Sequence, residues 1–125
     1  MKIKTFNQAC KLLKYNPEKV LPNVASFPKA HQKSLTAYAK LVIIAEALNY
    51  DEATKKKWVP NWNDYNEYKW YPWFYLDKPG FRFGASGYLC TSTGAGGARL
   101  CYRSSGLSDY AAKQFKTLYK DLIVL

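Results

Sequence analysis

The sequence predicts an α+β fold with two N-terminal helices, a three- to four-stranded antiparallel meander and a C-terminal helix packed on the sheet. Apolar residues recur at helical spacing near both ends of the chain. Between them, residues 68–103 are rich in aromatic strand formers that alternate with glycine-containing turns. The 125 residues contain no repeat, linker or low-complexity segment, so we expect residues 1–125 to form a single domain with a core of its own.

Two helices are predicted in the first 50 residues. Thr5 is a candidate N-cap for a short helix over residues 5–14, and Asn16-Pro17 ends it because proline lacks an amide donor. The second helix is predicted over residues 29–49, and its second half is apolar on almost every side, which predicts cover by several elements. Its apolar stripe consists of Leu35, Tyr38, Val42, Ala45 and Leu48.

The stretch from 58 to 74 holds all four tryptophans and three of the eleven tyrosines. Its Asn and Asp residues between positions 61 and 66 predict ordered turns. Residues 68–75 are strand formers in which Pro72 predicts an edge strand or a bulge. Because a small core needs many rings, we expect this stretch to join the helices to the sheet, with one or two rings exposed.

The remaining strands are predicted at 81–83, 88–91 and 99–103, separated by turns at 77–80 and 93–97. The C-terminal helix is predicted over residues 107–122, with Ser105 or Ser108 as its N-cap. Its apolar face consists of Leu107, Ala111, Phe115, Leu118 and Leu122.

Catalytic and metal sites have little support in the sequence. No two cysteines have zinc-site spacing, and His31 is the only histidine, so we predict no enzyme, no metal and no cofactor. Turn capping explains Asp64 and Glu67 more simply than a catalytic carboxylate pair. Cys90 and Cys101 would face each other if a hairpin turn centred on residues 95–96; buried free thiols are the simpler alternative to a disulfide.

The charge distribution has two interpretations, a polyanionic partner such as DNA or RNA, or a soluble protein with Lys-rich helix faces. The net charge is +10, with +6 in residues 1–50, zero in residues 51–75 and +4 in residues 76–125. Excess positive charge attracts phosphates and releases counterions on binding. The cations proposed for nucleic-acid binding are Lys33, Lys40, Arg99, Arg103, Lys113, Lys116 and Lys120.

Aromatic residues offer a second kind of surface. Sheets that bind single strands stack bases on exposed rings and hold phosphates with Lys and Arg. That mixture occurs in Tyr68, Lys69, Trp70, Phe81, Arg82, Phe83, Tyr102 and Arg103. In the alternative reading the rings of Trp70, Tyr71 and Trp73 form a protein contact, within a virion or between copies of the chain.

The N-terminus lacks the continuous apolar segment of a signal peptide, and the longest apolar run, residues 41–45, is too short to span a membrane. Three cysteines are an odd number for a secreted disulfide framework. We therefore expect a cytoplasmic protein with no membrane partner.

Eight segments spread along the chain are distinctive: FNQACK (6–11), PEKVLP (17–22), AKLVII (39–44), WVPNW (58–62), KWYPWF (69–74), ARLCY (98–102), YAAKQF (110–115) and LYKD (118–121). Together they resemble a family of small uncharacterised proteins from tailed phages and mobile elements of Bacteroidetes-type gut bacteria. The resemblance covers nearly the whole chain and implies a host-cytoplasm or virion setting. The family carries no established activity, so the resemblance transfers no functional residue.

Overall fold

The protein is described here by a computed structural model that covers residues 3–77, 80–90 and 98–125. Within these residues it has an α+β fold with four α-helices, one 3-10 helix and a two-stranded antiparallel sheet. The elements are α1 (Phe6–Leu13), α2 (Lys29–Leu48), β1 (Lys69–Tyr75), β2 (Arg82–Leu89), the 3-10 helix (Ala98–Leu100), α3 (Ser105–Gln114) and α4 (Lys116–Ile123).

The two N-terminal helices begin and end close to their predicted bounds. The Oγ1 atom of Thr5 accepts a hydrogen bond from the Gln8 amide at 3.1 Å, which confirms the predicted N-cap. The second half of α2 is buried, as its apolar composition predicts. The predicted stripe is partly wrong, because Leu35 is 37% exposed while Leu41 and Ile44 are fully buried.

The C-terminal segment forms two helices, so the prediction of one continuous helix is wrong. The break lies at Phe115, which has φ −111° and ψ 31° and keeps its ring buried. It allows α3 to pack on the hairpin while α4 packs on α2. The N-cap is Ser104, whose Oγ accepts from the Leu107 amide at 3.2 Å, rather than Ser105 or Ser108.

The described residues contain two strands instead of the predicted three or four. Residues 99–103 contribute one isolated bridge, in which the amides of Trp70 and Tyr102 bond to each other's carbonyls at 2.9 and 2.6 Å. Leu100, Cys101 and Tyr102 are all buried, so this segment lacks the alternation of a half-buried strand. The predicted turn at 93–97 lies outside the described residues. Cys90, which follows β2, is a half-buried free thiol, so the alternative of a disulfide to Cys101 is not formed. Cys101 itself is a buried free thiol.

The hairpin of β1 and β2 has one face on the helices and one in solvent. Trp70 pairs with Tyr88, and Trp73 pairs with Ala85. The register shifts between Trp73 and Phe74, so a β-bulge lies one residue after Pro72. On the inner face, the Phe74 ring lies 5.0 Å from the ring of buried Tyr119. Alternation along β1 therefore turns Lys69, Tyr71, Trp73 and Tyr75 away from the helices.

Candidate functional site

The candidate site is the solvent side of the hairpin, called here the outer face, formed by Tyr71, Trp73, Tyr75 and Arg82. Trp73 is 60% exposed and Tyr75 is 52% exposed. The rings of Tyr71 and Trp73 meet edge to face with their centroids 5.4 Å apart. Tyr75 was missed as a surface residue, although its position two residues after Trp73 on the same strand indicates the same face.

Two glycines of β2 set the position of these rings. A Cβ atom on Gly87 would lie 2.6 Å from the Nε1 atom of Trp73, and one on Gly84 would lie 2.8 Å from the Cε2 atom of Tyr75. Any side chain at either position would therefore displace the ring that packs there. The aromatic rings of β1 thus pack against the bare backbone of β2.

The only cation exposed on the outer face itself, within the described residues, is Arg82. Its guanidinium carbon lies 4.5 Å from the ring centroid of Tyr75, a cation–π distance. Its Nη1 atom also bonds Asp77 Oδ1 at 2.9 Å. The two contacts hold the guanidinium beside the ring and partly neutralise its charge.

Lys69 closes one end of the outer face and is fully buried, so the prediction of a surface cation at this position is wrong. Its ammonium donates to the carbonyl oxygens of Asp64 and Glu67, both at 2.9 Å, and lies 3.4 Å from Glu67 Oε1. The Trp62 ring centroid is 5.3 Å from the same nitrogen. Lys69 therefore fastens the segment 61–67, called here the polar loop, over the beginning of β1.

The predicted turns in the polar loop are confirmed. Asp64 Oδ1 accepts from the Asn66 amide at 2.9 Å, and Glu67 Oε1 accepts from the Asn61 amide at 2.7 Å. These contacts are the capping roles that the sequence favoured over a catalytic pair. Within the described residues, no group of three or more His, Cys, Asp or Glu side chains is arranged to hold a metal ion.

The seven cations proposed from the sequence do not form one cluster. Lys33, near the start of α2, lies 3.6 Å from Asp121, whereas the Arg103 amide bonds Asn49 at the opposite end of α2. The helical rise places these two ends about 24 Å apart. Lys40 lies over the Phe6 ring, and the Lys113 ammonium lies 5.9 Å from the Phe83 ring of the hairpin. The remaining three, Arg99, Lys116 and Lys120, are exposed.

The predicted aromatic surface is divided between the two faces of the hairpin. Trp73 is exposed on the outer face and Tyr71 is half-buried there, while Trp70 is half-buried and turned towards the inner side. Trp70 lies beside the stacked rings of Tyr68 and Tyr88, whose centroids are 4.4 Å apart. None of the four tryptophans belongs to the buried core, whereas Phe74 packs against it. The expectation that the core needs the rings of this stretch therefore holds for Phe74 and not for the tryptophans.

Two further candidates lie in the core. Tyr102, proposed above for a stacking surface, is fully buried, and its hydroxyl lies 2.7 Å from that of Tyr119. Burial raises the pKa of the Cys101 thiol to about 11. At neutral pH Cys101 is therefore a protonated thiol, a poor nucleophile.

No family model, curated protein or solved structure matches the chain. None of the helices in the described ranges has the length and apolar character needed to cross a membrane.

Proposed function

We propose that this protein is a non-enzymatic binder of single-stranded nucleic acid, in which bases stack on the outer face. The observation that carries the proposal is the row of Tyr71, Trp73 and Tyr75 at alternate positions of β1, two of them more than half exposed. Stacking of a base on an aromatic ring contributes about 1–3 kcal/mol and tolerates any base. The net charge of +10 favours a polyanion over a neutral ligand.

Exposed cations outside the outer face supply the phosphate contacts in this proposal. Lys55 and Lys56 are exposed on the turn that precedes the aromatic stretch, and the turn is closed by paired backbone bonds between Asp51 and Lys56. Lys113 reaches the hairpin from α3. Stacking and charge thus come from different residues, so the two contributions can be removed separately.

The test measures binding of a fluorescent single-stranded oligonucleotide across a range of salt concentrations. Trp73→Ala should weaken binding about tenfold at every salt concentration, because one stacking contact is lost and no charge changes. The double variant Lys55→Ala/Lys56→Ala should reduce the salt slope by about 0.7 for each phosphate contact removed. Phe27→Ala, which removes a 45% exposed ring near the start of α2, is the matched control and should bind normally.

Absence of binding to DNA and RNA single strands even at low ionic strength would overturn the proposal. The alternative, a self-association module, predicts a different result from the same variants. If light scattering shows a dimer that Trp73→Ala converts to a monomer, a second copy covers the outer face instead of a nucleic acid.

A further inference from the structure

We infer that Arg82 binds a phosphate of the ligand on the outer face, and that this phosphate replaces the carboxylate of Asp77. The inference rests on the proposed single-strand binding. It adds a phosphate contact on the outer face itself to those made by the cations outside it. Stacking on the rings requires no charge, so a phosphate-bearing strand is distinguished from a neutral ligand by the cations that meet its backbone.

Arg82 lies directly opposite Tyr75 in the register of the hairpin. Its guanidinium carbon is 4.5 Å from the centroid of the Tyr75 ring. Trp73 precedes Tyr75 by two residues on the same strand, which is a distance of about 7 Å along β1. A nucleotide stacked on either ring therefore lies beside this guanidinium, so its phosphate can contact Arg82.

The hydrogen bonds of Arg82 leave most of its guanidinium available. Within the described residues both bonds are donated by Nη1, to Asp77 Oδ1 at 2.9 Å and to the Gly80 carbonyl at 3.4 Å. An arginine has five N–H donors in a planar fork, and this fork can bind two phosphate oxygens at once. The donors on Nε and Nη2 can therefore bind a phosphate while the guanidinium stays beside Tyr75.

Asp77 is the group that competes with a phosphate for Arg82. Its carboxylate neutralises the guanidinium, and its negative charge repels a phosphate at the same place. The ion pair is open to solvent, since the Arg82 side chain is 40% exposed and the Asp77 side chain is 65% exposed. Exposed ion pairs contribute little to stability, so replacing Asp77 by a phosphate costs little. The contact with Tyr75 does not involve Asp77 and can hold the guanidinium during the exchange.

The experiment measures binding of oligo-dT to Arg82→Gln, Asp77→Asn and the double variant across a range of salt concentrations. Arg82→Gln should weaken binding and reduce the salt slope by about 0.7, the value for one phosphate contact on a single strand. Asp77→Asn should strengthen binding about two- to fivefold, the factor that corresponds to the loss of an exposed ion pair. In the Arg82→Gln background, Asp77→Asn should give no gain, because Asp77 acts through Arg82.

Asp121→Asn is the matched control for Asp77→Asn. It changes the net charge equally and removes the acid of another ion pair, which Asp121 of α4 forms with Lys33 at 3.6 Å. We expect it to leave the affinity for oligo-dT unchanged. The second control is a methylphosphonate oligo-dT, whose backbone carries no charge. It should bind equally to the native chain and to Asp77→Asn.

The outcomes separate this inference from the proposed function. If Asp77→Asn strengthens binding no more than Asp121→Asn, or gives the same gain in the Arg82→Gln background, the inference is overturned. An unchanged salt slope in Arg82→Gln also overturns it. In each of these cases a loss of binding in Trp73→Ala still supports the proposed function. Failure of the native chain to bind any oligonucleotide overturns both proposals.

Discussion

The helical part of the molecule and the hairpin use apolar side chains in opposite ways. In α2, Leu41 and Ile44 are fully buried among other aliphatic residues and alanines. In the hairpin, Trp73 and Tyr75 keep more than half of their surface in water. The tryptophans, which have the largest side chains of the protein, therefore lie outside the core that holds it together.

The contrast identifies the hairpin as the part of the protein whose large apolar side chains stay exposed to water. Burial of a large apolar side chain contributes about 1.5–3 kcal/mol to the free energy of folding, and most of this contribution is absent when the ring is exposed. A cluster of exposed rings on a small chain is typical of a surface for a partner. In the proposed function the hairpin is such a surface, and the helices are its support.

The largest expected effect is the loss of stability in Leu41→Ala. Removing a fully buried leucine leaves a cavity and should lower the free energy of unfolding by about 3–5 kcal/mol. Trp73→Ala removes a larger side chain and should cost less than about 1 kcal/mol, because the indole is mainly exposed. Urea denaturation of both variants measures the contrast. Equal losses would show that the outer face belongs to the stabilising core.

The next effect concerns the buried charge in the hairpin region. Lys69→Met leaves two partly buried carbonyl oxygens and Glu67 without their ammonium partner, so it should cost about 2–3 kcal/mol. Amide exchange should also increase in the polar loop while α2 stays protected. The conservative Lys69→Arg keeps the charge and serves as the comparison; similar exchange in native and Lys69→Met proteins would contradict the fastening role.

The smallest effect comes from the Tyr102–Tyr119 hydroxyl pair. Tyr119→Phe leaves the buried Tyr102 hydroxyl without its partner and should cost about 1–2 kcal/mol. The double variant Tyr102→Phe/Tyr119→Phe removes both hydroxyls and should cost no more than the single one. A double variant that loses the sum of both single costs would contradict this account.

The same pair predicts a dependence of stability on alkaline pH. Burial raises the pKa of Tyr102 and Tyr119 above the value of 10.0 for an unperturbed tyrosine. The unfolded chain therefore releases these protons first, so their contribution to stability is complete below about pH 10 and is lost as pH rises above it. Denaturation midpoints between pH 8 and 11 should fall less steeply in Tyr102→Phe/Tyr119→Phe.

Much of the helical structure follows from the sequence because its signals are local. Thr5 and the proline after Asn16 mark the bounds of α1 within the chain itself. The break at Phe115 carries no glycine or proline, and the apolar spacing continues across it. The helix break is determined by the two different surfaces on which α3 and α4 pack. These long-range contacts leave no signal in the local spacing of apolar residues.

The candidate site was harder to predict because burial on a hairpin depends on distant residues. Lys69 and Trp73 sit on one face of β1, yet the first is buried under the polar loop and the second is exposed. The sequence places both in one aromatic stretch of zero net charge without distinguishing them. The ordered turns at the Asn and Asp residues were predictable, since their side-chain bonds span only two residues.

Tyr102 has a consequence for the order of folding. Its backbone bonds Trp70 at the start of the hairpin, and its hydroxyl bonds Tyr119 in α4. The hairpin itself closes locally and should form within about 1–10 μs. Its attachment through Tyr102 requires contacts between distant parts of the chain, which form more slowly. In pulse-labelling exchange, the Tyr102 amide should therefore become protected together with α4 and after the paired amides of β1 and β2.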